Sequence, residues 1–437
     1  MNTVEFLDPR KNFHIIRPEY LKNFYLNLNY HLLPKNIFLK KIILFINIIF
    51  LRKLRIIFNF VKNLQFNFGE PSKYDIIVFD DESFNILSNI FSKKNYFILQ
   101  TRIARINKVY LSKKIVLLII KNFFKASLKV NYLCSLIEII NPKIVVTFID
   151  NSTEFSMSAK ILKNKNIKFI AIQNAHRTHI NYKKVRVNIP NYYVFGDYER
   201  EILLKSDSSY KNIIPVGSLT AAVAKEYLRE KHDDLNEDLF DICFISEPHF
   251  KLNQDFGHIH QEINYKLQES VKALANNVLK FCKKHKKKMI FSGKADISSE
   301  YRKAEILSYK NMVDDHDFEI SFHKKKEFIN YKNIMQSKLI IGMNSTILRE
   351  SFEFNKKVLW CNLVGHIDTK SPAEGICELK SKNFEDFEKR VLDILELNFE
   401  QYLSKIKNPD RFYNFKIDTL DFLRSEIDTS INEKLRN

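Results

Sequence analysis

From residue 73 onward, apolar residues come in short, nearly unbroken runs separated by stretches with helical spacing. The runs "YDIIVFD" (74–80), "NYFILQ" (95–100), "KIVVTFI" (143–149), "IKFIAIQ" (167–173), "NYYVF" (191–195) and "NIIPV" (212–216) predict strands. Between them, "SLKVNYLCSLIEIIN" (127–141) and "TEFSMSAKILKNK" (153–165) predict helices. Strands without polar alternation belong to a parallel sheet covered on both faces. A charged break, "LREKHDDLNEDL" (228–239), predicts a linker.

The alternation then restarts. Strands are predicted at "FDICFIS" (240–246), "KKMIFSG" (287–293), "FEISF" (318–322), "SKLIIG" (337–342) and "KKVLWCN" (356–362). Helices are predicted over about 259–285, near 326–336, from 346, and at the amphipathic "FEDFEKRVLDILEL" (384–397). The fold class is therefore α/β: two tandem Rossmann-like, doubly wound domains with an interdomain cleft. The expected boundaries are a basic, apolar helical N-terminal region 1–70, α/β domains 71–230 and 231–390, and C-terminal helices 391–437.

Charge alters this picture chiefly at the front of the chain. The net charge is +19, and residues 20–69 hold eight Lys or Arg with no Asp or Glu. The apolar run 42–51 lies between Lys40–Lys41 and Arg52–Lys53. It is too short for the ~20 residues that span a bilayer. A core helix with basic edges and a helix resting on an anionic membrane face account for it equally. Nucleic acid is not expected as a partner, because no aromatic-basic motif of recognised spacing accompanies the charge. Five scattered cysteines without a C-x-x-C pair speak against a disulfide framework or zinc site and for a reducing compartment. The segment "MNTVEFLDPRKNF" lacks the features of a secretory signal, so a cytoplasmic chain is expected.

Glycine is scarce, at eight residues, and four of them (Gly196, Gly217, Gly293, Gly342) fall at predicted strand ends. Those ends are where open α/β sheets bind ligands. After Gly342 come Asn344, Ser345 and Thr346, where hydroxyls can cap a helix or, with the helix amides, hold a phosphate. Glu350, one turn on, can accept hydrogen bonds from ribose hydroxyls. "FSGKAD" offers Ser292, Gly293 and Lys294, and "FISEPHF" offers Ser246, Glu247 and His249. In the first half, "VVTFIDNS" ends in Asp150, Asn151 and Ser152, and "FIAIQNAHRTH" brings Gln173, Asn174, His176, Arg177 and His179. Asp150 is open to two readings, a helix cap or a proton acceptor. No P-loop and no G-x-G-x-x-G exists, so a nicotinamide dehydrogenase is not expected. "HIH" (258–260) does not suit a metal, since alternate residues diverge on a helix.

Taken in order, "VVTFIDNSTEF", "FIAIQNAHR", "YYVFGDYEREIL", "IIPVGSL" and "IIGMNSTILRESFEFNKKVL" resemble the bacterial surface carbohydrate biosynthesis proteins, which are similar to glycosyltransferases of the two-domain GT-B type. The resemblance runs from about 74 to 362 and departs from the family pattern at Ala175, where glycine is usual. It implies a metal-independent glycosyltransferase, without a cofactor, that moves a sugar from a nucleotide-sugar donor to a growing surface polysaccharide or lipid-linked glycan. The donor nucleotide would be held by Gly217, Ser246, Ser292, Gly293, Lys294, Asn344, Ser345, Thr346 and Glu350. Asp150 would be the base, with His176 second, and Asn151, Gln173, Asn174 and Arg177 would line the acceptor side. Residues 20–69 would contact the inner membrane peripherally. A sugar-nucleotide 2-epimerase on the same fold, a basic nucleic-acid-binding protein and a scaffold without activity are the alternatives.

Overall fold

A computed structural model describes residues 64–432 apart from 92–94, 103–104, 178–186, 232–237, 248–257, 297–300, 315–317, 325–326 and 367–368. The apolar run 42–51, nearly all of 20–69, His179 and His249 lie outside the described residues. Two compact units make up the chain. One is Met1–Lys73, Phe79–Asp81 and Ile98–Ile140; the other is Tyr74–Val78, Glu82–Phe97 and Asn141–Asn437.

Two six-stranded sheets carry the fold. The first contains β1 (Ile76–Phe79), β2 (Tyr96–Leu99), β3 (Ile144–Thr147), β4 (Lys168–Ile172), β5 (Asn188–Val194) and β6 (Ser209–Pro215) in the order β2-β1-β3-β4-β5-β6. Every pair from β1 to β6 is parallel. The second contains β7 (Phe240–Ile245), β8 (Met289–Asp296), β9 (Ile320–His323), β10 (Ser337–Gly342), β11 (Lys357–Cys361) and the two-residue β12 (Glu378–Leu379). Its order is β9-β8-β7-β10-β11-β12, parallel throughout. That is the doubly wound order in which direction of travel reverses between the first and fourth strands, here β7 and β10. All eleven longer strands were legible as apolar runs. Ile76–Val78, Val145–Val146, Ile242–Cys243, Leu339–Ile341 and Val358–Cys361 are fully buried, as sheets covered on both faces require.

Helices cover these sheets. In the smaller unit, α1 (Lys113–Lys121) packs on α2 (Leu128–Ile140). Then come α3 (Thr153–Ile161), α4 (Asp197–Leu203), α5 (Leu219–Lys231), α6 (His258–His285), α7 (Tyr301–Met312), α8 (Ile329–Met335) and α9 (Thr346–Glu350), which tightens into a 3-10 turn over Ser351–Phe354. The last are α10 (Phe384–Leu395), α11 (Phe399–Ser404) and α12 (Thr419–Asn432). The predicted linker at 228–239 begins inside α5, because Leu228 is buried and continues the apolar face of that helix. Gly293 does not end its strand. β8 continues to Asp296, and its register on β9 slips between Ser292 and Asp296, so Gly293 sits at a bulge.

α12 returns to the first half of the chain. Leu420, Leu423, Ile427 and Ile431 are buried, Phe422 packs edge-on to Tyr193 of β5, and Arg424 forks onto Glu226 of α5 at 2.9 and 3.0 Å. Lys168 of β4 bonds Glu426 and Ser430.

Candidate functional site at facing strand ends

The reversal between β7 and β10 makes a crevice at their carboxyl ends. The loop after β7 supplies Glu247, and the turn after β10 supplies Met343, Asn344 and Ser345. Glu247 Oε1 accepts the amides of Met343 and Asn344, both at 2.9 Å. The amides just ahead of α9, next to those expected to receive a phosphate, thus hold a carboxylate in this structure. Burial pushes the Glu247 carboxyl above its usual range, against the pull of those amides and of Lys294. Ser345 stands at the N-cap of α9, yet its side chain makes no capping bond. Thr346 Oγ1 instead accepts the backbone amide of His176, at 2.9 Å. This bond joins the strand-end edge of the second sheet to the loop after β4 of the first.

Asp150 follows β3, where the order of the first sheet reverses. It does not cap α3; Ser152 does, accepting the amide of Phe155 at 3.2 Å. The Asp150 carboxylate receives both a bidentate Arg177 fork and the Tyr192 hydroxyl, the latter at 2.6 Å. Arg177 also reaches Asn174 Oδ1 at 2.8 Å. Gln173 clamps backbone, accepting Phe195 N at 2.9 Å and donating to Ala175 O at 2.9 Å, while Asn151 is exposed.

His176 is enclosed. Its ring meets Trp360 edge-on at 5.4 Å and stacks on Tyr198 at 5.9 Å. Arg349 Nη1 lies 3.4 Å from its Nδ1. A guanidinium only donates, so Nδ1 accepts and the proton of the neutral ring sits on Nε2. Burial and the two cations Arg349 and Arg177 hold the imidazole well below its ordinary value.

Arg349 is the residue the sequence hid. It stands beside Glu350 on a short helix, where a charged side chain ordinarily meets water, yet it is fully buried. Its guanidinium grips Glu199 through both nitrogens and donates to the carbonyls of Phe412 and Arg411. Its neighbour Glu350 has partners of its own, accepting Ser218 Oγ at 2.7 Å and Tyr331 Oη at 2.8 Å. Burial raises the Glu350 carboxyl; the two hydroxyls and Arg349 oppose that. One turn further, Glu353 bonds Lys225 of α5 at 2.9 Å. A short helix thus spends successive side chains on contacts with the first half of the chain.

The remaining expected donor residues have visible local duties. Gly217 has φ +98°, and a Cβ there would stand 2.4 Å from the Tyr413 hydroxyl and 2.5 Å from Thr419 Oγ1. Ser246 and the amides of Lys294 and Ala295, at 2.8 Å each, all bond the buried carboxylate of Glu305. Ser292 is buried in β8, and Lys294 itself is exposed at the rim. Glu247, Glu305 and Arg349 are the polar groups that organise the edge. Only Glu247 was visible beforehand, as the first polar residue beyond a buried strand and its serine.

No family model and no curated protein matches the chain. Solved structures do. It is similar to a glycosyltransferase from Rickettsia africae ESF-5 at 14% identity, covering 84% of this chain and 100% of that one, with a TM-score of 0.42. It is similar to the UDP-GlcNAc 2-epimerase of Methanocaldococcus jannaschii at 12% identity, over 80% of this chain and 98% of that one, TM-score 0.48. It is also similar to the wall teichoic acid polymerase TagF at 10% identity, over 83% and 91%, TM-score 0.43.

Proposed function

We propose that the protein is a sugar-nucleotide enzyme, and specifically a glycosyltransferase that extends a cell-surface or lipid-linked glycan. The observation that supports this most is the bond from His176 N to Thr346 Oγ1. It ties the helix after β10 to the loop that carries Arg177, the partner of Asp150, which supports a reaction between a nucleotide-bound donor and a second substrate. The donor diphosphate would take the place of the Glu247 carboxylate on the Met343 and Asn344 amides, with exposed Lys294 at hand for its charge. Glu350 would exchange Ser218 for a ribose hydroxyl. An acceptor hydroxyl attacks the anomeric carbon, the bond to the diphosphate breaks, and the hydroxyl proton passes to Asp150.

The test begins with thermal shift against CMP, UDP, GDP and their sugars, since a ligand of the native state raises the melting temperature. Under this reading one nucleotide stabilises the protein and Glu350→Ala weakens that binding. Asp150→Ala retains binding and loses transfer, followed by mass spectrometry of an acceptor. A full panel without a shift would refute it. Epimerisation has one observation in its favour: Glu247 is a carboxyl disposed to hold a proton, placed in the crevice. Release of UDP and an epimerised sugar from UDP-GlcNAc without any acceptor would select that chemistry.

A further inference from the structure

The smaller unit presents an outer face unlike the rest of the described surface. Val116, Leu117, Ile120, Phe123, Phe124 and Leu128 all lie within thirteen residues and all are exposed, Leu117 by 66%, Ile120 by 65% and Phe124 by 99%. On α1 the positions 113, 116, 117 and 120 recur at the three- and four-residue spacing of one helix face, and Phe124 follows in the turn beyond it. Ile115 points inward and is fully buried, so the apolar outer row is surplus to the core.

This face is built rather than frayed. Ser112 Oγ accepts the amide of Ile115 at 3.3 Å and fixes the start of α1. Beyond its end, the buried Asn131 of α2 donates to the carbonyls of Phe123, at 3.3 Å, and Ala126, at 2.9 Å. One amide therefore holds the turn that projects both phenylalanines, whose rings meet edge-to-face at 5.4 Å.

Charge identifies what covers the face. Residues 98–137 hold eight Lys or Arg and no Asp or Glu. Lys113, Lys114, Lys121, Lys125 and Lys129 border the apolar row, with Lys114 3.7 Å from Glu70. Exposed aliphatic and aromatic side chains ringed by lysine suit the boundary of a bilayer with anionic headgroups. The apolar run 42–51 of this chain is flanked by lysine and arginine at both ends and would bring like charge to like. A second copy of the same face would do so too.

We propose that the face formed by α1 and the turn to Leu128 seats the protein on an anionic lipid surface. This is independent of the reaction the protein performs, and it places membrane contact on residues other than 20–69. The test is co-sedimentation of the full chain with vesicles of phosphatidylglycerol and phosphatidylcholine, and with phosphatidylcholine alone. The native chain is expected to sediment with the anionic vesicles only. Leu117→Glu with Phe124→Glu should lower that partitioning by about tenfold or more. Lys121→Glu with Lys125→Glu should lower it several-fold and flatten its salt dependence. All four side chains are exposed, and an unchanged melting temperature verifies the fold in each variant. Equal sedimentation of variants and native chain, equal binding to neutral vesicles, or no binding at all would overturn the proposal. So would a native dimer that Leu117→Glu with Phe124→Glu merely dissociates while vesicle binding persists.

Discussion

Replacing Arg349 with methionine tests the joint between the two halves most directly. The guanidinium is fully buried, forks onto an equally buried Glu199, and supplies hydrogen bonds to the carbonyls of Phe412 and Arg411. Methionine fills much of the same space but leaves Glu199, among the described residues, with Gly196 N and Gln173 Nε2, each at 3.3 Å, and the His176 ring at 3.9 Å. Abandoning one member of a buried ion pair costs about 3–5 kcal/mol, and a buried carbonyl stripped of its donor costs about 1–3 kcal/mol. The native state should therefore lose at least about 4 kcal/mol, read from urea unfolding at neutral pH. Adding Glu199→Gln to Arg349→Met should recover part of the loss, because no unpaired carboxylate then remains. A second readout needs no unfolding: Arg349 is one of two cations that depress His176, so the imidazole should titrate at higher pH in the Arg349→Met protein, followed by NMR. A loss under about 2 kcal/mol, together with an unmoved His176, would refute the account of Arg349 as the buried tie.

Two further outcomes follow from single side chains. Glu350 binds its proton more tightly folded than unfolded, so the stability it contributes is complete below the unfolded value of about 4.3 and is lost as pH rises through the higher native value. Glu350→Gln removes that decline, and the stability difference between variant and native chain should grow in the variant's favour from pH 4 to 7; parallel curves would sink the assignment. Gly217→Ala puts a methyl against Tyr413 and Thr419 at a positive φ, and should cost about 2–4 kcal/mol in chemical denaturation. A loss of only a few tenths would mean that Tyr413 moves aside freely.

The strands were readable because burial on both faces leaves no polar alternation to confuse with a helix. Val358–Cys361 and Leu339–Ile341 show this, every residue enclosed. β12 was not readable: two residues, Glu378 and Leu379, carry no pattern. Nor was the bulge at Gly293, since it depends on how β9 pairs and not on local sequence. In the candidate site, the loops carrying Asp150, His176 and Thr346 were found as polar clusters after apolar runs. What the polar atoms bond was not. A short helix enclosed on several sides buries arginine and glutamate together, and "LRESFEF" looks the same whether its charges meet water or Glu199, Ser218 and Lys225.

The return of α12 to the first half has a consequence for biosynthesis. The β4 and β5 strands of the first sheet are complete once residue 194 has been made, yet the helix that supplies Phe422, Glu426 and Ser430 to Tyr193 and Lys168 begins only at Thr419. During elongation the growing chain therefore carries an uncovered apolar strip through the synthesis of more than two hundred residues. At ribosomal speeds of about 5–20 residues per second, that interval lasts at least ten seconds or so. Until α12 is made, that strip depends on some other cover. A stop codon shortly before Thr419 would leave every copy in that vulnerable condition.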